Sequence, residues 1–242
     1  MSYYMREIRM NKKKFYQTFI DSISEGKKSF AILLDPDTFD NANAELFLKN
    51  IPPQTTHLFV GGSIVENGET NNTILSLKKY SSLPIFLFPG DASQVSKEAD
   101  VILFLSLLSG RNPEYLIGQQ VEAISKLKNS SLEIISMGYI LIDGGYESEV
   151  ARVSNTSPMS QENVQAIVDT ALAGEYLGAK IIYLEAGSGA KIPVNPIIVK
   201  AVKNEISVPL IVGGGIKTEV QKQQAYNAGA DMVVMGTAFE NN

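Results

Sequence analysis

Eight short β-forming runs alternate with helical stretches along nearly the whole chain, and this spacing limits the folds open to it. The runs are Phe30–Leu34, Leu58–Val60, Ile85–Phe88, Val101–Leu105, Glu133–Ile142, Ile181–Glu185, Leu210–Val212 and Met232–Met235. Most are apolar throughout rather than alternating, as parallel strands covered on both faces must be. Between them lie helix-compatible segments at Ala44–Lys49, Thr70–Tyr80, Ser93–Glu98, Pro113–Lys128, Gln161–Leu177, Pro196–Asn204 and Thr218–Ala228. Asn112-Pro113-Glu114 reads as a helix start, Ser160 with Asn163 as a weaker one, and Gly178 and Gly229 as stops before strands. Eight β units joined by helices predict an α/β fold, a closed (β/α)8 barrel, with residues 1–242 forming one domain.

Two departures from an ideal barrel are visible. An amphipathic segment at about residues 14–24, with Phe15, Phe19, Ile20 and Ile23 on one face, precedes the first strand. Only Thr237–Asn242 follows the last, which leaves no room for a full eighth helix. The leading helix is therefore expected to cover the barrel where that helix is missing. The polar stretch between Ile142 and Ser160 follows a strand on the side where barrels carry their sites, and its length suggests a functional lid.

Composition removes several chemistries. The chain has no cysteine and a single histidine, His57, so disulfides, thiolate zinc sites, a cysteine nucleophile and a multi-histidine metal site within one chain are all excluded. Its 21 basic and 26 acidic residues leave a net charge of −5, which argues against nucleic acid as a partner. Apolar runs such as Val101–Leu108 are far too short to span a bilayer, and the basic start of the chain lacks a following apolar core, so a cytoplasmic protein is expected.

In such a barrel the site lies just beyond the C-terminal ends of the strands. Glycine is concentrated there, in Gly61-Gly62-Ser63, Gly187-Ser188-Gly189, Gly213-Gly214-Gly215 and Gly236-Thr237. Glycine lets backbone N–H groups approach an anion, and the loops after the last strands commonly hold phosphate. The alternative is that these glycines only permit tight turns. Asp35 and Ser63 end adjacent strands, and a carboxylate with a hydroxyl suits Mg²⁺; a turn acid before Pro36 and a helix cap are the structural alternatives. Pro36 should turn Asp37 outward. Tyr183 and Glu185 share one strand face while Leu184 takes the other, so a phenol and a carboxylate could meet substrate hydroxyls or form a structural network. Arg111 could meet an anion or remain a solvated loop residue. His57 opens its strand at the opposite end of the barrel, which argues for a structural role and against a Ser-His-Asp triad.

Taken together, Leu34-Asp35-Pro36-Asp37, Val60-Gly61-Gly62-Ser63, Tyr183-Leu184-Glu185-Ala186-Gly187-Ser188-Gly189, Val212-Gly213-Gly214-Gly215-Ile216 and Gly236-Thr237 resemble the geranylgeranylglyceryl phosphate synthase family. The stretch from Ile102 to Pro113 looks like its second subgroup, of Bacteroidetes and archaeal type. The resemblance implies a modified (β/α)8 TIM barrel and a prenyltransferase that joins sn-glycerol 1-phosphate to a polyprenyl diphosphate. It implies Mg²⁺ on Asp35 and Ser63, and catalytic roles for Glu185 and Tyr183. Substrate contacts would come from Tyr183, Leu184, Glu185, Ala186, Gly187, Ser188, Gly189, Gly213, Gly214, Gly236 and Thr237. It further implies a homo-oligomer, dimer or hexamer, and a lipid product that brings transient contact with a membrane surface. A sugar-phosphate isomerase or aldolase would share the glycine loops but should show a catalytic lysine or an acid/base pair at the strand ends. A non-catalytic phospholipid-binding barrel would keep the pocket without turnover.

Overall fold

Eight parallel strands close on themselves in chain order in a computed structural model that describes residues 15–66, 68–236 and 238–239. They are β1 (Ser29–Leu34), β2 (His57–Val60), β3 (Ile85–Leu87), β4 (Val101–Leu107), β5 (Glu133–Leu141), β6 (Ile181–Glu185), β7 (Leu210–Gly213) and β8 (Met232–Met235). The ring is sealed by β8 against β1, with Phe30 opposite Val233. The expected closed parallel barrel is therefore the fold, and uniformly apolar strands build it because both faces are covered. Ile32, Leu58, Ile182, Leu184 and Val212 face the surrounding helices, whereas Ala31, Phe59, Leu103, Met137, Tyr183 and Ile211 fill the interior.

The helices are α1 (Phe15–Ser24), α2 (Ala44–Asn50), α3 (Glu69–Lys78), α4 (Gln119–Leu127), α5 (Glu149–Ser154), α6 (Val164–Tyr176), α7 (Pro196–Glu205) and α8 (Glu219–Ala228). Capping sets several starts. Asn195 Oδ1 accepts the Ile197 N–H ahead of α7, and Thr218 and Gln221 form a reciprocal capping box at α8. The Asn112 carboxamide accepts the Glu114 N–H as expected, but the chain first makes an i→i+5 turn over Glu114–Gly118 before α4.

The helix expected at Ser93–Glu98 is reduced to a 3₁₀ turn, Ala92–Gln94. Asp91 caps it through the Ser93 N–H at 2.6 Å, Val95 is extended, and Ser96 Oγ bonds Asn71 at 2.9 Å. Local side-chain bonds of this kind compete with a helix too short to propagate. The segment expected to be a loop between Ile142 and Ser160 instead contains α5, capped by Ser148 Oγ on the Ala151 N–H. It is pinned at its ends, where Asp143 N–H donates to Met159 O and Met159 N–H to Leu141 O, both at 2.9 Å.

The leading helix does not stand in for the missing eighth helix. Phe19 of α1 is buried in the interior cluster with Ala31, Phe59 and Phe86. Its ring lies 6.2 Å from that of His57, and Phe15 meets Phe86 edge-on at 6.3 Å. Glu133, the first residue of β5, accepts the N–H groups of Phe15 and Tyr16 at 2.5 and 3.2 Å, so a carboxylate faces the positive end of the helix dipole. His57 and Glu133 open their strands, and Lys180, whose carbonyl accepts the Tyr16 hydroxyl, immediately precedes β6, so α1 closes the N-terminal mouth of the barrel. The outside of β1 and β8 is covered by other side chains. There Phe239 packs on Phe30 at 6.3 Å, Lys222 Nζ sits 4.4 Å above the Phe30 ring, and Tyr226 donates to Ser29 O at 2.7 Å.

His57 belongs to the closed end, as expected. Its Nδ1 lies 2.7 Å from Thr56 Oγ1, and burial pushes its pKa down to about 4.

Candidate active site at the C-terminal mouth

One cleft opens at the C-terminal ends of the strands, with about 1210 Å³ of empty space counted out to its mouth. Asp35, Ser63, Tyr183, Glu185, Ser188, Gly214 and Gly236, from five of the strand-end loops and β6, all line it. Phe88, Leu105, Leu107, Tyr115, Val150 and Val153 form its apolar flank. A polar pocket and an apolar groove are thus one space.

Glu185 is buried, and its Oε1 accepts the Gly187 N–H at 2.6 Å. Burial pushes its pKa up to about 7, against a lowering by the Gly187 N–H and by the nearby Tyr183 phenol. Tyr183 is fully buried, and its hydroxyl lies beside Glu185 without reaching hydrogen-bond geometry to it or to any other described group. Burial, then the Glu185 charge, hold this phenol well above its ordinary pKa, so it is neutral and can donate. Tyr183 is held flat by stacking on Tyr139 at 5.5 Å and Phe88 at 5.1 Å. Gly213 makes room for the pair, since a Cβ there would overlap the Tyr183 hydroxyl and come within 3.1 Å of Glu185 Oε2.

Asp35 is half-buried at the end of β1 and faces the cleft with Ser63 from the end of β2. Burial raises its pKa; the Asp37 N–H, donating at 3.1 Å, opposes this, and the charges of Asp37 and Glu149 add to the rise. Among the described residues no basic group forms an ion pair with Asp35. A carboxylate and a hydroxyl at the ends of adjacent strands are the kind of oxygen pair that Mg²⁺, completed by water and phosphate, can use, although no group of three or more acidic or histidine side chains able to hold a metal is found among the described residues. Asp37 is exposed and accepts the Glu66 N–H, turned outward as Pro36 suggested.

Not every expected contact reaches the cleft. The Leu184 and Ala186 side chains lie in the layer between strands and helices, because strand alternation sends them outward. Ala186 N–H is taken by Gly213 O at 3.2 Å and so is not free for a ligand. Gly187, Gly189 and Gly213 shape the loops behind the lining. Thr237 lies outside the described residues, as does the basic stretch before Phe15. Arg111 is exposed, bonds Leu108 O at 3.1 Å and Gly110 O at 2.6 Å, and is not among the residues lining the cleft.

Sequence reasoning missed four kinds of residue. Lys217 is the only basic side chain lining the cleft among the described residues, three positions beyond Gly214. Tyr139 follows Ile135 and Met137 on the inward parity of β5, a signal that was present in the alternation. Glu149, Val150 and Val153 reach the cleft from α5, whose start was legible in Ser148 followed by an acid. Tyr146 ties this segment to the next loop by donating to Ser188 O.

These features define a (β/α)8-barrel protein with a polar pocket and an apolar groove in one cleft at the C-terminal ends of its strands. The chain belongs to the PcrB family, whose profile matches residues 22–242. It is 53% identical over 228 residues to a geranylgeranylglyceryl phosphate synthase of Flavobacterium johnsoniae, covering 94% of each chain. It is 49% identical over 228 residues to one from Zunongwangia profunda, covering 94% of this chain and 97% of that one. Among solved structures, (S)-3-O-geranylgeranylglyceryl phosphate synthase from Thermoplasma acidophilum, in complex with its substrate sn-glycerol-1-phosphate, superposes with a TM-score of 0.87. That protein shares 32% identity, over 96% of this chain and 93% of its own.

Proposed function

We propose that the protein joins sn-glycerol 1-phosphate to a polyprenyl diphosphate, geranylgeranyl diphosphate by the names of its relatives, to form a prenylglyceryl phosphate ether and diphosphate. The observation that carries this reading is the continuity in one cleft of an apolar flank with a polar pocket containing Glu185 and the Tyr183 hydroxyl, which has no hydrogen-bond partner among the described residues. One substrate is small, hydroxylated and anionic; the other needs a greasy channel beside it.

Lys217 and the backbone of the Gly214 and Gly236 loops hold the glycerol phosphate. Tyr183 and Glu185 take glycerol hydroxyls, which supplies the buried phenol with its missing partner. The 3-hydroxyl oxygen bonds to C1 of the prenyl group as the allylic C–O bond to diphosphate breaks, and the diphosphate leaves with the electron pair. The hydroxyl proton passes to Glu185, whose pKa near 7 suits a base at neutral pH. Phe88, Tyr115, Val150 and Val153 exclude water from the allylic carbon. Asp35 and Ser63 would hold Mg²⁺, which when bound supplies positive charge against the departing diphosphate.

A lipid product and a groove open to solvent support transient contact with a membrane surface; no described helix is long and apolar enough to cross one. The exposed stripe Ile117, Val121 and Ile124 supports a homo-oligomer, dimer or hexamer by the family resemblance, which sedimentation of the full chain tests. A cytoplasmic enzyme completes the proposal, checked by cell fractionation.

The decisive assay incubates the full chain with glycerol 1-phosphate and prenyl diphosphates of several chain lengths, with Mg²⁺ or a chelator. Mg²⁺-dependent prenylglyceryl phosphate is the expected product. Glycerol phosphate binding without transfer to any chain length would reject the proposal.

A further inference from the structure

The loops after β1, β2 and β3 meet at the backbone of Gly62. On one side Gly62 lies against the Asp35 carboxylate so closely that a Cβ at 62 would stand 2.8 Å from Asp35 Oδ2. On the other side Gly90 packs so near that a Cβ there would stand 2.5 Å from Gly62 O and 2.6 Å from Ser63 O. The β2 loop is therefore threaded between its neighbours, and any shift in it moves Ser63 relative to Asp35.

A single side chain reads both peptide groups at this bend. Gln94, 3% exposed, donates from Nε2 to Gly62 O at 2.8 Å and accepts the Gly62 N–H at Oε1 at 3.4 Å. Its carboxamide does for Gly62 what a neighbouring strand does within a ladder, at a place beyond the end of β2 where the ladder has stopped. The turn that carries Gln94 is itself anchored. Ala92 N–H donates to Gln119 Oε1 at 2.8 Å, and Lys126 Nζ donates to Ala92 O at 2.9 Å and Ser93 O at 3.1 Å. The buried amide is thus tied through its turn to α4, and it points at the peptide between the two oxygen donors.

We propose that Gln94 is a positioning residue that sets the Asp35 carboxylate and the Ser63 hydroxyl at the spacing a divalent cation requires; this rests on the magnesium reading above. A cation held by only two protein groups depends strongly on their orientation, because water and diphosphate complete its shell without fixing it to the barrel. Outer partners that orient metal ligands are commonly worth about 10- to 100-fold in metal affinity.

The test uses the full chain and Gln94→Met, which keeps the length of the side chain and removes both hydrogen bonds. Mn²⁺ binding is followed by water-proton relaxation in the presence of inorganic diphosphate, against a protein-free blank. Glycerol 1-phosphate binding is measured by calorimetry on the same samples. The expected result is Mn²⁺ binding weakened about 10- to 100-fold, with glycerol phosphate binding within about twofold of wild type. Should Gln94→Met fail to fold, Gln94→Asn keeps an amide but withdraws it from Gly62, and the same direction is expected. Unchanged Mn²⁺ binding in a folded variant overturns the positioning role and leaves the magnesium reading standing. Equal weakening of both ligands also overturns it, since Gln94 would then merely hold the mouth together. Absence of Mn²⁺ binding to the wild-type chain overturns both.

Discussion

Tyr183 and Glu185, two residues apart on β6, face the same cleft, and the Tyr183 hydroxyl is buried beside the carboxylate with no hydrogen-bond partner among the described residues. A buried hydroxyl without a partner costs about 1–3 kcal/mol, which a bound hydroxylated ligand would relieve. Tyr183→Phe is expected to leave the melting temperature equal to or above wild type. The same variant should raise KM for glycerol 1-phosphate about tenfold, the worth of one hydrogen bond. A drop in stability with unchanged KM would show that the hydroxyl serves the fold instead.

Glu185 gives a pH dependence of definite sign. Its pKa is raised from 4.5 to about 7, chiefly by burial, so folding favours the neutral carboxyl. The stabilising contribution is fully present below about pH 4.5 and is lost as pH rises through about 7, at a cost of about 3 kcal/mol. Glu185→Gln should therefore unfold at a higher temperature than wild type at pH 8.5 and converge with it at acid pH. Turnover should fall on the order of 10²-fold or more and lose its rise through neutral pH. Wild-type turnover in this variant would remove Glu185 from the mechanism.

Gly213 carries no catalytic group, yet its missing side chain is what lets Tyr183 and Glu185 lie side by side. A methyl there would overlap the phenol hydroxyl. Gly213→Ala is expected to weaken glycerol 1-phosphate binding by about tenfold or more through displacement of Tyr183, while circular dichroism still reports a folded barrel. Calorimetric titration checks this, and undiminished affinity would mean that the phenol does not touch the ligand.

The plug at the closed end predicts the opposite pattern. Phe19 is 3% exposed inside the barrel, and Phe19→Ala should cost about 3–5 kcal/mol of stability. Because it sits across the barrel from Glu185, KM and turnover should be unchanged at temperatures where the variant is folded. Denaturant titration alongside steady-state kinetics tests both halves. A stability loss below about 1 kcal/mol would return α1 to the surface.

Much of the site was legible because strands announce themselves twice. Apolar runs such as Ile181–Glu185 mark the strand, the residues at and just past the end of each run mark the mouth, and alternation adds Tyr183 to the face of Glu185, so the sequence brings Asp35, Ser63, Tyr183 and Glu185 to one end of the barrel. Alternation likewise sends Leu184 outward, which excludes its side chain from the cleft even where a motif includes it. Tyr139 was readable by the same parity and was overlooked because no glycine loop flags it.

By itself the sequence determined the closed parallel barrel, the end at which its chemistry lies and the residue types there, because period, glycine placement and alternation are local properties of a chain. Only the tertiary structure decided where α1 docks, since the stripe of Phe15 and Phe19 demands an apolar partner without naming one. The same is true of Lys217 and Val153 in one cleft, of Phe239 and Lys222 covering Phe30, and of Gln94 on Gly62. Each joins residues far apart in sequence, and such contacts exist only once the barrel has closed.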